Sequence, residues 1–374
     1  MSRVVERQNI VNLRKELSFE ARRIRLSSIP ETADLNLPQS AEDDTVFLDG
    51  RNQTRKRILL LSPACTVATC TMCPLPNEAI YGHRKVPTAE NLIHQFDSAF
   101  DTSHATGPEV ITVYNNGNFF VDQEIPPATR EHIYTKVRES AAHSLVVESL
   151  PQFIDSDRIM EARTFLGNKR LVVSIGLQTS NDLIRKLAIN TTCTSAGFER
   201  AIELLRSAEY LPIVFLMIKS PFLTEREGIA DAVESIQYLA EKGINEPILC
   251  PTRIAPNTIV DLLHQKGLFS PPWLWSVVEV LRQTVGISSP RVATINVESQ
   301  KNVDSLCASN CPKCNQQFID GIKKFNTSMD INFLTSLGCS CSDEYEKSMV
   351  KEEEQFGNLS IEERVRHFLE NKSQ

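Results

Sequence analysis

Three thiols stand within nine residues of the chain, at Cys65, Cys70 and Cys73. They follow the apolar run Ile58-Leu59-Leu60-Leu61, which reads as a buried strand, so the thiols occupy the loop after it. The count matters chemically. A structural zinc ion takes four protein ligands, and a disulfide takes two. A four-iron cube held by three cysteines keeps one iron open for another ligand. The C-x2-C half, Cys70 and Cys73, lets two thiolates reach neighbouring irons, and Cys65 takes a third corner. The competing reading is that each is a small buried hydrophobe, but three in so short a stretch argue for a ligand set.

A second group lies near the C-terminus. Cys311-Pro312-Lys313-Cys314 is followed, after 24 residues, by Cys339-Ser340-Cys341. Two close pairs at this separation suit a closed tetrahedral zinc site, since four thiolates leave no open position. An auxiliary iron–sulfur cluster is the alternative. Cys307 is a spare thiol that could replace one of the four. Cys193 and Cys250 read as packing residues, with Cys250 at a strand end. Eight of the ten cysteines thus fall into two groups, which is metal usage more than disulfide usage.

The elements around these thiols alternate. A helix spans about 4–26, and 27–50, with Pro30, Pro38 and several Asp and Ser, reads as a linker. Strands are expected at 58–61, 110–114, 144–148, 171–176, 212–218 and 247–250, separated by helical segments. Six strands with helical crossovers imply parallel pairing, in an open doubly wound sheet or a barrel. Either way, ligands sit at the C-terminal ends of the strands. There lie the cysteine loop, the turn Asn115-Asn116-Gly117-Asn118, Glu148, Gln178, Lys219 and Arg253. No Gly-rich phosphate loop follows the first strand.

Length, 374 residues, allows about two domains or one large barrel with additions. The N-terminus has no apolar signal core and no run approaches a membrane span, so a reducing, cytoplasmic setting is expected. Net charge is −7, which does not favour nucleic acid. Positive charge is nevertheless concentrated in the first 60 residues, at Arg14, Lys15, Arg22, Arg23, Arg25, Arg51, Arg55, Lys56 and Arg57, and the tail is acidic. Such asymmetry would let a polyanion approach one face only. Solvated amphipathic helices at each end are the plainer alternative.

The sequence resembles the radical S-adenosylmethionine (SAM) superfamily, and within it the Elongator-like branch that includes archaeosine-forming tRNA-modification enzymes. The resemblance covers about residues 55–345. It is carried by the triple Cys, by Asn116-Gly117-Asn118-Phe119-Phe120 through Glu124-Ile125-Pro126, by Glu148-Ser149 and by Ile175-Gly176-Leu177-Gln178-Thr179. Further stretches are Lys219-Ser220-Pro221-Phe222-Leu223-Thr224-Glu225, Pro271-Pro272-Trp273-Leu274-Trp275-Ser276-Val277-Val278-Glu279 and Asn310-Cys311-Pro312-Lys313-Cys314.

The resemblance implies a partial parallel (β/α)6 barrel at 51–297, preceded by a helix and linker at 1–50. A small Cys-rich, zinc-like module at 298–345 and an acidic helical tail at 346–374 follow. It implies that Cys65, Cys70 and Cys73 hold a 4Fe-4S cluster whose open iron is chelated by SAM. One electron, from a donor such as a ferredoxin or flavodoxin, then cleaves SAM to a 5′-deoxyadenosyl radical that abstracts hydrogen from substrate, here a nucleoside in tRNA. Asn116, Gly117 and Asn118 would meet SAM's methionine end. Glu148 and Gln178 would bond its amino group or ribose, and Lys219 and Arg253 would meet carboxylate or phosphate.

The chain departs from the branch in places. The first cysteine gap is four residues where three is common. Glu-Ser-Arg-Pro-Glu becomes Glu148-Ser149-Leu150-Pro151-Gln152, Gly-Leu-Glu becomes Gly176-Leu177-Gln178, and Ile-Asn-Lys-Gly becomes Ile189-Asn190-Thr191-Thr192. These changes put the archaeosine substrate in doubt. A small molecule or protein substrate is therefore a second expectation, and a non-catalytic iron–sulfur or zinc scaffold a third.

Overall fold

The computed structural model describes residues 3–100, 107–298 and 306–371, with side chains from residue 8. Helix α1 (Arg3–Ile24) precedes a hairpin of β1 (Ser40–Leu48) and β2 (Arg51–Leu59). Strands β3 (Val110–Tyr114), β4 (Ser144–Glu148), β5 (Arg170–Gln178), β6 (Leu211–Ile218), β7 (Ile248–Pro251) and β8 (Arg291–Val292) follow. Helices α2 (Ala89–Ala99), α3 (Pro127–Glu139), α4 (Ser156–Leu166), α5 (Ser195–Ser207), α6 (Glu225–Glu241), α7 (Ile259–Gln265) and α8 (Leu274–Thr284) connect them. The C-terminal part holds α9 (Asn315–Ser328), α10 (Asn332–Thr335), α11 (Ser342–Phe356) and α12 (Ile361–Glu370).

All eight strands form one sheet in chain order, with β2 to β8 parallel. A doubly wound sheet reverses its strand order at a switch point. This one never reverses, so each crossover steps the same way and the sheet curls into a barrel. It does not close, because β1 and β8 remain its two edges. The expected partial barrel of six parallel strands, β2 to β7, is present, and β8 adds one short parallel strand.

Alternation along the strands separates two faces. On β5, Leu171, Val173, Ile175 and Leu177 are fully buried in the layer beneath the helices. The other face turns inward. Leu48, Val110, Val146 and Val172 pack together there as a floor. Nearer the strand ends, inward Tyr114, Glu148, Gln178, Phe215 and Cys250 are only partly buried.

Residues 27–50, expected as a linker, contain β1. Its signal is the Asp49-Gly50 turn, where both residues have positive φ (52° and 73°), as a two-residue hairpin turn requires. The strand is acidic and pairs with a basic partner. Asp44 lies opposite Arg55, Asp43 opposite Lys56 and Glu42 opposite Arg57. Arg55–Asp44 (2.6 Å), Lys56–Asp43 (3.2 Å) and Arg57–Glu42 are ion pairs. Three of the nine cations named in the first 60 residues are therefore neutralised by β1. The boundary drawn at 298 adjoins 299–305, which lie outside the described residues. Helix α11 runs across the boundary drawn at 345.

Candidate cluster and cofactor site

The cysteine loop leaves β2 at the C-terminal rim and is fastened on three sides. Beneath it, the Thr71 N–H donates to the Ile189 carbonyl at 2.9 Å. Thr69 Oγ1 donates to the Asn190 carbonyl at 3.1 Å, and Asn190 Nδ2 returns a bond to the Thr69 carbonyl at 3.0 Å. Asn190 has φ +56°, a conformation Asn tolerates better than most residues. It ends the π-helical turn Ile184–Ala188.

The second fastening comes from the N-terminal segment. Arg25, just past α1, is buried and donates to the carbonyls of Cys70 (3.0 Å), Cys73 and Ala68 (3.4 Å). Arg22 reaches the Val67 carbonyl at 3.2 Å, and Arg14 reaches the Thr191 carbonyl at 2.7 Å.

The third is Glu124, fully buried below the turn after β3. Its Oε1 accepts from the Thr66 N–H (2.8 Å), from Thr66 Oγ1 (2.9 Å) and from Asn118 Nδ2 (3.0 Å), and its Oε2 accepts from the Asn118 N–H. Asn118 Nδ2 also lies 3.3 Å from Cys65 Sγ, and Asn118 Oδ1 accepts from the Leu150 N–H at 2.9 Å. A Cβ on Gly117 would stand 2.1 Å from Glu124 Oε2, so only glycine admits this carboxylate.

The thiols are half-buried. Burial, together with Glu124, pushes Cys65 up to about 11; burial likewise raises Cys70 to about 11 and Cys73 to about 12, against the pull of Arg25. A metal must displace those protons to bind.

The two cysteine groups differ in spacing. Among the described residues, Cys311, Cys314, Cys339 and Cys341 form the one set of metal-ligand side chains whose donor atoms all lie within 4.8 Å of one another. Three of their Sγ separations are 3.6–3.7 Å. A tetrahedron with Zn–S near 2.3 Å has edges of about 3.8 Å, so the four thiols fit one ion. Cys65, Cys70 and Cys73 are not part of that set. Backbone and thiol hydrogen bonds outweigh burial at Cys311 and bring it to about 7. Cys307 stands apart, 3.7 Å from the Glu298 carbonyl.

The other expected contacts separate on inspection. Asn116 (φ +53°) turns away, its Nδ2 bonding Gln39 Oε1 (3.1 Å) and the Glu78 carbonyl (3.0 Å). Arg253 lies 3.5 Å from Glu78, on the turn just after Cys73. Glu148 is central: its Oε1 accepts from the Asn115 N–H at 3.1 Å. Burial raises its carboxyl to about 7, against backbone N–H bonds from Asn115 and Gly117. Some of its surface reaches solvent, but the carboxylate itself is enclosed, and desolvation dominates.

Gln178 (φ +71°) sits at a register shift in β5 and folds back over Gly176. Lys219 is not open to a ligand. Its amine is buried, 2.6 Å from Glu225 and 2.8 Å from Glu352 of α11. Glu225 Oε1 also accepts from the Trp273 N–H (2.8 Å) and Ser276 Oγ (2.6 Å). Trp275 Nε1 points at Cys341 Sγ, 3.4 Å away. The Pro-Pro-Trp-Leu-Trp stretch thus ties the barrel to the four-cysteine module.

Asn115 escapes the sequence reading as a contact residue. It is fully buried at the end of β3, yet neither its Nδ2 nor its Oδ1 has a partner. Buried amides are rarely left so, and a polar ligand at the rim would satisfy it.

No protein-family model matches the chain. It is 30% identical over 282 residues to archaeosine synthase subunit beta of Thermococcus kodakarensis, covering 74% of this chain and 85% of that one. It is 25% identical over 352 residues to archaeosine synthase subunit beta of Methanosarcina acetivorans, covering 93% and 99%. Among solved structures, Elp3 of Methanocaldococcus infernus aligns with a TM-score of 0.43 and 16% identity, covering 63% of this chain and 58% of that one. Methylornithine synthase aligns with a TM-score of 0.45 and 13% identity, covering 75% and 70%.

Proposed function

The chain belongs to the archaeosine synthase subunit beta family, in the Elongator-like branch of the radical SAM enzymes, and from that premise we propose that it modifies a nucleoside within tRNA using a 4Fe-4S cluster held by Cys65, Cys70 and Cys73. The carrying observation is the three-thiol loop at the barrel rim, fastened by Glu124 and Arg25. When bound, cluster and SAM supply one-electron cleavage of SAM and a 5′-deoxyadenosyl radical that removes hydrogen from substrate.

The chain's own residues hold and orient. Glu124 and Asn118 set the Cys65 end of the loop, and Arg25 sets the Cys70 and Cys73 end. Glu148 and Asn115 offer a carboxylate and an amide to SAM's amino and carboxylate groups. Gln178 offers an uncharged acceptor to its ribose. Arg253 meets an anionic group beside Glu78. A zinc ion at Cys311, Cys314, Cys339 and Cys341 closes the distal module; the Sγ spacing favours it over a second cluster.

Anaerobic reconstitution, followed by counting iron, sulfide and zinc and assaying 5′-deoxyadenosine, tests this reading. About four irons and one zinc per chain, with SAM cleavage under strong reductant, are expected. Absence of 5′-deoxyadenosine from a fully loaded protein would remove the catalytic reading. A second reading, a small molecule or protein substrate, is favoured by Leu150, Gln152, Gln178 and Thr191, which replace charged residues of the branch. Salt-dependent gel shifts with bulk tRNA separate the two, because phosphate contacts weaken steeply with salt.

A further inference from the structure

Helix α1 is fastened to the protein on one side only. Leu13, Leu17 and Ala21 are buried against α12 and the turn after β5. The opposite stripe is open and carries Val11 (44% exposed), Phe19 (66%) and, just past the helix, Leu26 (65%). Single exposed apolar residues need no explanation. Val11 and Phe19 on one helix face, with cations between them and Leu26 exposed beyond the helix end, are different. Lys15 and Arg22 share the stripe, Arg23 flanks it, half-buried Arg14 lies at the edge of the packed face, and Glu16 lies on the same shoulder as Arg23. Lys15 has no ion-pair partner among the described residues, whereas Arg23 pairs with Glu20 along the helix.

Three further facts give this stripe a direction. Arg22 also reaches the Val67 carbonyl, so the stripe borders the cysteine loop. The other basic segment, Arg55 to Arg57, is neutralised by β1. The whole chain carries −7, so this is a local cationic strip on an acidic molecule.

We infer that this face of α1 is where RNA docks, with Lys15, Arg22 and Arg23 on phosphates and Phe19 stacked on an unpaired base delivered toward the cluster loop. Sequence-tolerant RNA binding uses this combination: cations that follow the backbone and an aromatic ring for a base. The inference rests on the tRNA reading above. A protein surface would match the apolar residues, but Lys15, Arg22 and Arg23 beside them favour a polyanion.

The test uses the full, cluster-loaded chain and bulk tRNA in a salt series. Phe19→Ala should weaken binding at least about fivefold, the loss of one stacked base. Lys15→Gln with Arg23→Gln should flatten the slope of log K against log salt by about 1.4, two lost contacts at the single-strand value. Glu16→Lys should bind more tightly than wild type and with a steeper slope. Iron content and substrate-free 5′-deoxyadenosine formation should stay at wild-type level in all three, since none of these residues touches the cysteine loop. If wild type binds tRNA with steep salt dependence and the variants match it, RNA docks elsewhere and the inference falls alone. If wild type binds no tRNA at low salt, the tRNA reading falls with it. If the variants instead lose a co-purifying protein while binding tRNA normally, the stripe is a protein interface and the inference is overturned.

Discussion

Glu124 shows how much a single side chain can organise here. Its two oxygens meet donors only, from Thr66 and Asn118. Glu124→Gln would aim an amide N–H2 at one of those donors. The expected cost is about 1–3 kcal/mol, seen as a lower melting temperature of the apo-protein and lower iron retention. Asn115 should behave oppositely. It is a buried amide without partners, so Asn115→Leu should stabilise the ligand-free protein by about 1 kcal/mol or more while weakening SAM binding. Calorimetry reads both effects, and unchanged SAM affinity would show that the amide serves no ligand. Glu148 brings pH dependence. Its carboxyl is raised from 4.5 to about 7, so the folded state favours the neutral form. That contribution to stability is whole below pH 4.5 and is lost as pH rises through 7. SAM's ammonium prefers the ionised form, so SAM affinity should climb between pH 6 and 7.5, and Glu148→Gln should flatten the climb. The gathering of Cys311, Cys314, Cys339 and Cys341 is legible in the sequence because ligand chemistry fixes residue type and spacing. Glu124 and Arg25 are not, because Glu124 meets Thr66 from 58 positions away and Arg25 meets Cys70 from 45.

At the scale of elements, strands and their helices are legible because the strands are short apolar runs buried on both faces, and because Thr88, Thr194 and Thr224 cap α2, α5 and α6 as side-chain acceptors. β1 is hidden by its acidity: Glu42, Asp43 and Asp44 disfavour a strand until Arg55, Lys56 and Arg57 stand opposite them. The same logic changes the meaning of Lys219. By position it belongs to the rim, at the end of β6, where a cation could meet an anionic ligand. Its amine instead joins α6 and α11 through Glu225 and Glu352. Gly228 permits this, since a Cβ there would come within 2.6 Å of the Lys219 backbone. Lys219→Met would leave two carboxylates facing each other in a buried setting. The expected loss is about 3–5 kcal/mol, measured by denaturant unfolding, and adding Glu352→Gln should recover part of it. A surface-like loss below about 1 kcal/mol would show that the pair is solvated.

Across the whole molecule, the two chain ends meet behind the cysteine loop. Leu13, Leu17 and Ala21 of α1 share one core with Val365, Phe368 and Leu369 of α12 and with Ile184, Leu187 and Ile189 of the turn beneath the loop. Arg364 locks α12 in place, donating to both oxygens of Glu227 and to the Phe222 carbonyl. Composition alone suggests an acidic, solvated tail; Arg364 and Phe368 are the residues that make it structural. The arrangement is a chain of supports: α12 backs α1, the segment ending α1 presents Arg25, and Arg25 holds the carbonyls of Cys70 and Cys73. Removing residues 357–374 should therefore reduce iron retention and SAM cleavage, although among the described residues of that segment no side chain bonds a cysteine of the loop. The four-cysteine module provides the internal control. It is joined to the barrel through Trp275 rather than through α12, so zinc content should remain at one per chain. Metal analysis of the truncated protein, with hydrogen exchange across residues 10–25 and 65–73, checks the route. Loss of iron with protected α1 amides would mean that the tail acts on the loop by another path. Full iron with exposed α1 amides would mean that Glu124 and Asn190 hold the loop without it.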